Sequence, residues 1–336
     1  MPSDKTFLTY NQQMKKLRID KKIDCNNTPD KTLLVKSGYF NLVNGYKEPF
    51  ICGTDSNGNH IYLPNTSIKG LYELKKFDDD LRILLLKNIT QIEEEVRTLT
   101  GYKFDQCNDN GKIPWYDSKA YSPSSKLQNK MNTISSAYSE LNRSRSDYVK
   151  FYMNNHDTIP TWIMIKVINF STFIDVLSNS KPTVTHALCN LYNMVDSNGY
   201  YNVKLLIGSL HWLRKVRNSC AHNERVYTIK QTTLRNDATS GRIIEYYFTN
   251  LRPTYTRDNE KKIIDLLVYF KYFLSDSDFK KMINEFQNML LSLLASIQSN
   301  EFDNIRSHMV IKDLNDLIAL KKINKTNSLY HKFDTY

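Results

Sequence analysis

The chain has 336 residues, of which 40% are hydrophobic and 24% charged, a composition typical of a globular protein with a sizeable core. It has no apolar run long enough to cross a membrane, and residues 1–6 lack the basic-then-apolar layout of a signal peptide. We therefore expect a cytoplasmic protein with no membrane partner. The five cysteines are scattered and include no C-x-x-C pair, which predicts free thiols and gives no support for a metal site.

The net charge of +11, from 46 basic and 35 acidic residues, favours a polyanionic partner, with nucleic acid as the first choice. The alternative is a basic surface that serves solubility alone. The 22 tyrosines and 15 phenylalanines offer stacking faces for bases, although most aromatic residues of a helical protein belong to its core or ordinary surface. We expect no cofactor.

Apolar residues at helical spacing predict a first helix over residues 5–23, with basic residues on its exposed sides. This basic cluster is the first candidate RNA-binding surface, and an ordinary solvated face is the alternative for each member. The residues concerned are Lys15, Lys16, Arg18, Lys21 and Lys22.

Thr28-Pro29-Asp30 marks the start of a second helix, because proline is favoured in the first turn. Two glycine–tyrosine steps follow, seven residues apart, at Gly38 and Gly45. We expect these glycines to let two helices approach closely. Residues 51–65 predict a turn-rich hairpin or loop.

A further helix is expected from Thr66 onward, and Asp78 is expected to cap a second helix that runs to Arg97. Residues 101–127 form a polar connection. Helical spacing returns over residues 128–154, where the basic residues Arg143 and Arg145 lie among aromatic ones and form a second candidate RNA-binding surface.

The remaining chain is predicted to be helical apart from one insert. Pro160 begins a central helix that is apolar almost all round, and two helices are expected over residues 258–275 and 278–299. Between these regions, residues 228–257 change character, with a β-like run at 243–248 that predicts a small hairpin or extended insert.

Polar groups crowd together where the helix that begins near Val203 ends. Asn218 and His222 are four residues apart and share a helix face, and Arg217 lies on an adjacent face. An imidazole that moves a proton beside a guanidinium that holds a phosphate suits the cleavage of a phosphodiester. The alternative is that these side chains only close a helix end. Arg214 and Lys215, just upstream, are further RNA-binding candidates.

The order R-N-x-x-A-H-x-x-R at residues 217–225 resembles the R-x4–6-H signature of HEPN-domain ribonucleases, and its longer form resembles the bacterial Abi-D/Abi-F abortive-infection family. Three further segments are similar to that family: the glycine–tyrosine stretch at 38–50, the F-D-x-x-L-R stretch that leads to Glu93 and Arg97, and the I-P-x-W start at 159–162. The chain departs from the family at residues 308–311, which lack the family's C-terminal tryptophan element.

The resemblance implies an all-α fold, a HEPN-type helical bundle over residues 66–300. An N-terminal helical extension (1–65), the small β-hairpin insert (228–257) and a C-terminal tail (301–336) would surround it. It further implies a homodimer, because such nucleases need two R-x4–6-H motifs and this chain has one good copy.

The implied activity is metal-independent RNA cleavage through the ribose 2′-hydroxyl by an abortive-infection toxin, restrained by a small structured noncoding RNA. Arg217, Asn218 and His222 would be catalytic, and Arg225 would support them. Glu93 and Arg97 either pair with each other on the surface or, as supporting residues, orient the catalytic groups. Two alternatives stay open: a non-catalytic RNA-binding scaffold and a protein–protein adaptor.

Overall fold

A computed structural model describes residues 7–195, 198–231, 243, 247 and 261–323. Helices dominate this part of the chain, as predicted, and one antiparallel hairpin accompanies them, formed by β1 (Ile51–Thr54) and β2 (His60–Tyr62). The helices are α1 (Tyr10–Ile19), α2 (Thr28–Ser37), α3 (Ile68–Cys107), α4 (Leu127–Arg143), α5 (Asp147–Asn155), α6 (Thr161–Val167), α7 (Phe170–Asn179), α8 (Pro182–Leu191), α9 (Val203–Ala221), α10 (Ile263–Phe273), α11 (Asp276–Leu294), α12 (Ser299–Met309) and α13 (Asn315–Lys321).

The N-terminal helices begin at well-formed caps. The side chains of Thr9 and Asn27 accept from backbone N–H groups of α1 and α2, each in a reciprocal capping box. The buried residues Met14, Leu17 and Leu34 belong to the same hydrophobic core as residues as far along the chain as Ile323. The N-terminal extension is therefore part of the same packed structure as the rest of the described chain.

Helix α3 is the axis of the fold, since α6, α8, α9 and α11 all pack against it. It spans 40 residues, so it is about 60 Å long. The prediction that Asp78 caps a second helix is wrong, because Asp78 lies inside α3 and is fully buried. The helix also extends to Cys107, into the segment predicted as a polar connection.

The central apolar segment is two helices rather than one. Helix α6 ends at Val167, and Asn169 caps α7 by accepting a hydrogen bond from the backbone N–H of Thr172. Glu140 of α4 accepts from the backbone and the side chain of Asn169. A partner from another helix thus stabilises a break that apolar periodicity does not reveal.

The prediction that Gly38 and Gly45 allow a close helix approach is wrong. A Cβ at Gly38 would meet nothing within 4 Å, and one at Gly45 only the Phe40 carbonyl oxygen at 3.8 Å. Gly38 is needed for its backbone, because it ends α2 with φ at 73°. The residues between them, Phe40–Asn44, form a π-helical turn.

The predicted hairpin or loop at 51–65 is the β1–β2 hairpin, whereas the insert predicted at 228–257 falls mostly outside the described residues. The predicted C-terminal tail (301–336) contains most of α12 and all of α13, which contribute Phe302, Ile305 and Leu317 to the core. All five cysteines are free, as predicted. None of the described helices is long and apolar enough to cross a membrane.

Candidate active site

Helix α9 carries Arg217 and Asn218 in its last turns, and His222 is the residue that directly follows its end. Its apolar side is buried in the core through Leu206, Leu210, Leu213 and Val216. The opposite side faces solvent, so Arg217 and Asn218 are half-buried and His222 is exposed. Burial of one helix face thus decides that these polar groups lie at the surface.

The end of α9 is a Schellman motif. Asn223 adopts the left-handed conformation at φ 60°, and its N–H donates to the Cys220 carbonyl over 3.2 Å. The N–H of Glu224 donates to the Ser219 carbonyl over 2.9 Å. The Ser219 hydroxyl also donates to the Glu224 carboxylate over 2.8 Å. His222 is therefore attached to a helix end whose backbone is fixed on both sides.

Glu93 of α3 lies between two arginines. Its Oε1 accepts from Arg97 Nη2 at 2.7 Å and Arg97 Nε at 3.1 Å, whereas its Oε2 lies 3.8 Å from Nε of Arg217. Arg217 Nη1 in turn donates to Asn218 Oδ1 over 3.4 Å. The guanidinium of Arg217 thus reaches round from its own helix face to that of Asn218. Glu93 thus pairs with Arg97, although both side chains are mostly buried and do not lie on the surface, and it also faces Arg217.

Arg97 is the fixed member of this group. Its Nη1 donates to the Ile165 carbonyl of α6 over 2.5 Å, and its guanidinium carbon lies 4.9 Å from the ring centroid of Phe173. Only 11% of its side chain is exposed, compared with 40% for Arg217. Arg97 therefore anchors Glu93, and Glu93 presents its second oxygen to an arginine that solvent can reach.

A buried carboxylate holds the segment that follows His222. Asp78 Oδ1 accepts from the backbone N–H groups of Val226 at 3.0 Å and Tyr227 at 2.7 Å. Its Oδ2 accepts from the Tyr46 hydroxyl and from Arg82 Nη1, each at 2.9 Å. Burial raises the pKa of Asp78, and these hydrogen bonds and the charge of Arg82 act in the opposite direction.

Two arginines complete this attachment. Arg82 Nη1 also donates to the Glu224 carbonyl over 3.2 Å, and its Nη2 contacts Asp79. Arg225, a predicted supporting residue, donates from Nη1 to the Gly45 carbonyl over 2.5 Å. Hydrogen bonds consequently link the glycine–tyrosine segment, the N-terminal half of α3 and the turn after α9 into one unit.

The predicted RNA-binding residues lie in three places. Lys15, Lys16, Arg18 and Lys22 are exposed on and just after α1, whereas Lys21 is half-buried and its pKa is lowered, chiefly by burial. Arg143 and Arg145 are exposed where α4 ends. On α9, Arg214 is half-buried and the Lys215 ammonium donates to the Lys230 carbonyl over 2.7 Å.

Cys220 lies between Arg217 and His222 in sequence, but it is buried. Burial raises its pKa to about 12, so the thiol stays protonated and is no nucleophile near neutral pH. Within the described ranges, no group of three or more His, Cys, Asp or Glu side chains is placed to hold a metal ion.

The sequence reasoning missed Asp78, Arg82 and Tyr46 as residues that support the site. All three lie in the two segments that resemble the abortive-infection family, at 38–50 and around Phe77, and this was the one feature of the sequence that could have indicated their role. Their partners lie 142 to 149 residues away along the chain, or 32 residues in the case of Tyr46 and Asp78. No local spacing predicts such contacts.

Fold and site together define a helical protein whose solvent-facing helix end carries an arginine, an asparagine and a histidine. The profile of the Abi-like protein family matches residues 32–228, more than half of the chain. The chain belongs to this family, whose name indicates an abortive-infection, anti-phage function. The matched range contains the glycine–tyrosine segment, Asp78, Glu93 and the whole end of α9. No curated protein and no solved structure matches the chain.

Proposed function

We propose that this protein is an abortive-infection endoribonuclease of HEPN type, which cleaves RNA without a metal ion. The observation that carries the proposal is the placement of Arg217. Its half-exposed guanidinium lies beside Glu93 and Asn218 at the end of a helix that stops at an exposed histidine. A permanent positive charge and an imidazole at one solvent-facing helix end suit a phosphodiester substrate.

In the proposed reaction, the ribose 2′-hydroxyl attacks the adjacent phosphorus and the bond to the 5′-oxygen of the next nucleotide breaks. The products are a 2′,3′-cyclic phosphate and a 5′-hydroxyl. His222 takes the proton from the 2′-hydroxyl or gives one to the leaving oxygen. Arg217 stabilises the charge that builds on the phosphorus-bound oxygens, and Asn218 orients the phosphate or the imidazole.

Glu93, Arg97 and Arg225 act through other groups. Glu93 holds the guanidinium of Arg217 by charge, and Arg97 fixes Glu93 through two hydrogen bonds. Arg225 holds the turn after His222 against the Gly45 carbonyl. We therefore assign positioning roles to these three residues.

The proposal includes RNA as the principal partner and the cytoplasm as the place of action. The net charge of +11 and the exposed basic residues on α1 and at the end of α4 support binding to a polyanion. The single good R-x4-H copy supports a homodimer in which two such motifs form one cleft. A small structured noncoding RNA bound to the basic surface would restrain the toxin.

The test uses the purified full chain and a labelled single-stranded RNA, with a DNA copy of the same sequence. We expect cleavage of the RNA only, with a 2′,3′-cyclic phosphate product, because DNA lacks the attacking hydroxyl. Arg217→Lys and His222→Ala should abolish cleavage while leaving RNA affinity nearly unchanged. His60→Ala, which removes an exposed histidine from the hairpin, is the matched control.

Sequencing of the RNA that co-purifies with the chain tests the restraint, for which we expect one discrete species. The main competitor is a non-catalytic RNA scaffold, which the same basic surface favours. It predicts salt-dependent RNA binding, no cleavage, and phage protection that His222→Ala does not change. Absence of any salt-dependent RNA affinity would overturn both the ribonuclease and the scaffold.

A further inference from the structure

A groove of about 250 Å³ runs between α3 and α6, and Arg97 of the Glu93–Arg97 pair lines it. Its floor is opened by Gly101, where a Cβ would approach the Ile165 side chain to 3.4 Å. Two aromatic residues and two cations make up half of the residues that line it. These residues are Tyr102, Trp162, Arg97 and Lys166.

The exposure of the aromatic residues is unusual. Trp162 is 60% exposed and Tyr102 is 51% exposed, whereas the other two tryptophans, Trp115 and Trp212, are buried at 1% and 2%. Residues 163–165, which follow Trp162 directly, are buried in the core. Helix α6 is thus well packed on its inner side and presents a large aromatic ring to solvent on its outer side.

The groove is joined to the site through one side chain. Arg97 lines the groove and binds Glu93, whose other carboxylate oxygen faces Arg217. Glu93 and Arg97 are one helical turn apart, about 6 Å along α3. An RNA strand whose phosphate is held by Arg217 therefore needs to extend by only about one turn along α3 to reach the groove.

The charges that line the groove indicate whether the base or the phosphate of a nucleotide would occupy it. Glu94 also lines the groove, and its carboxylate disfavours a phosphate there. A neutral, flat base suits an opening between exposed aromatic rings, and arginine also stacks on bases. Lys166 lies 5.3 Å from the ring centroid of Tyr148 at the outer side of α6. The positive charge of Lys166 at this position would attract the phosphate of the RNA backbone that leads to the bound base.

We propose that this groove is a nucleobase subsite, in which a base next to the scissile phosphate of single-stranded RNA stacks on Trp162. The subsite rests on the proposed ribonuclease function and deepens it. It selects unpaired RNA, since a base within a duplex is already stacked and cannot enter. It acts on substrate position and not on proton transfer.

The three tryptophans make a direct experiment possible, because Trp162 alone among them is exposed. The probe is a short single-stranded RNA with 2′-O-methyl groups, which lacks the attacking hydroxyl and stays intact. We expect the probe to quench the exposed tryptophan emission and to protect it from acrylamide. The same sequence as a duplex should bind without quenching.

Trp162→Ala should remove the quenching and weaken binding of the probe by roughly 5- to 150-fold, the range for loss of one stacked base. Trp162→Phe retains a ring and should keep most of the affinity. Because the side chain is mostly exposed, neither variant should change the helical circular dichroism. For cleavable RNA, Trp162→Ala should raise KM more than it lowers kcat.

Three results would overturn the subsite. If Trp162→Ala binds the probe and cleaves RNA like the parent chain, the subsite is wrong although the ribonuclease stands. If Trp162 is shielded from acrylamide before RNA is added, and dilution exposes it, a second copy of the chain occupies the groove. If the parent chain neither binds nor cleaves RNA, the proposed function fails and the subsite fails with it.

Discussion

The backbone N–H of Tyr227 donates a 2.7 Å hydrogen bond to the buried carboxylate of Asp78, a residue 149 positions earlier in the chain. This bond attaches the segment after His222 to the first third of α3. The same carboxylate accepts from the neighbouring N–H of Val226 and from Tyr46 and Arg82. The position of the candidate catalytic histidine therefore depends on a carboxylate that touches no solvent.

Replacing Asp78 with alanine should lower the free energy of unfolding by about 3–5 kcal/mol, because the substitution leaves the Arg82 charge buried without its main partner. Two backbone N–H groups also lose their acceptor. Urea denaturation measures the change. Asp80→Ala, an exposed aspartate two residues further along α3, should change stability by less than about 0.5 kcal/mol. Equal effects of the two substitutions would contradict the assigned role of Asp78.

Glu93→Gln should weaken RNA cleavage and lower the free energy of unfolding by about 2 kcal/mol, since two hydrogen bonds from a charged guanidinium lose their ionised acceptor. Arg217 should also lose the charge that holds it in place. Stability and cleavage rate are measured on the same preparation. Asp80→Asn removes an exposed carboxylate from the same helix and provides the control, and an Asp80→Asn variant as defective as Glu93→Gln would exclude a specific role for Glu93.

Asn223 tests the helix end that carries His222. Its φ of 60° lies in the left-handed region, which asparagine tolerates and alanine does not. Asn223→Ala should therefore destabilise the protein by about 1 kcal/mol and reduce cleavage. Asn223→Gly should be neutral or slightly stabilising, because glycine is the preferred residue at this position. Thermal unfolding of both variants measures the difference. An Asn223→Ala variant more stable than Asn223→Gly would argue against the Schellman geometry.

The two glycine–tyrosine steps offer a matched pair. Gly38 has φ at 73° and ψ at 145°, a conformation that essentially only glycine adopts, so Gly38→Ala should cost about 1–3 kcal/mol in unfolding free energy. Gly45 has an ordinary helical φ of −67°, and a Cβ there would have only the Phe40 carbonyl oxygen within 4 Å. Gly45→Ala should therefore be neutral or stabilising. Denaturation curves measure both, and a large loss at Gly45 would restore the close-approach explanation.

His308 predicts a pH dependence of stability. Burial lowers its pKa, the charges of Lys262 and Arg225 add to this, and Glu48 acts in the opposite direction. As pH falls below about 6.5, the unfolded chain binds the proton before the folded chain does. The contribution of His308 to stability is therefore complete above that pH and is lost as the pH falls.

The measurement is urea denaturation between pH 5 and pH 7.5. The free energy of unfolding should fall more steeply with acid in the parent chain than in His308→Gln. His60→Gln, at the exposed tip of β2, should leave the slope unchanged. If the free energy of unfolding has the same slope against pH in the parent chain and in His308→Gln, His308 is not the source of the pH dependence.

The sequence alone predicted the helical class, the start of α2 at Thr28 and the helix end at which Arg217, Asn218 and His222 lie. These features depend on local rules. Periodic apolar residues bury one helix face, proline suits a first turn, and residues four apart share a face. The pairing of Glu93 with Arg97 is of this kind too, since both lie on one helix.

Only the tertiary structure decided which polar residues are buried and what they hold. The sequence around Asp78 resembles a helix start. A capping aspartate and a buried aspartate can be distinguished only when the hydrogen-bond donors from distant parts of the chain are known. The contact of Glu93 with Arg217 and the break between α6 and α7 at Asn169 likewise require partners from other helices. Long-range hydrogen bonds offset the cost of burying these groups, and no spacing along the chain encodes them.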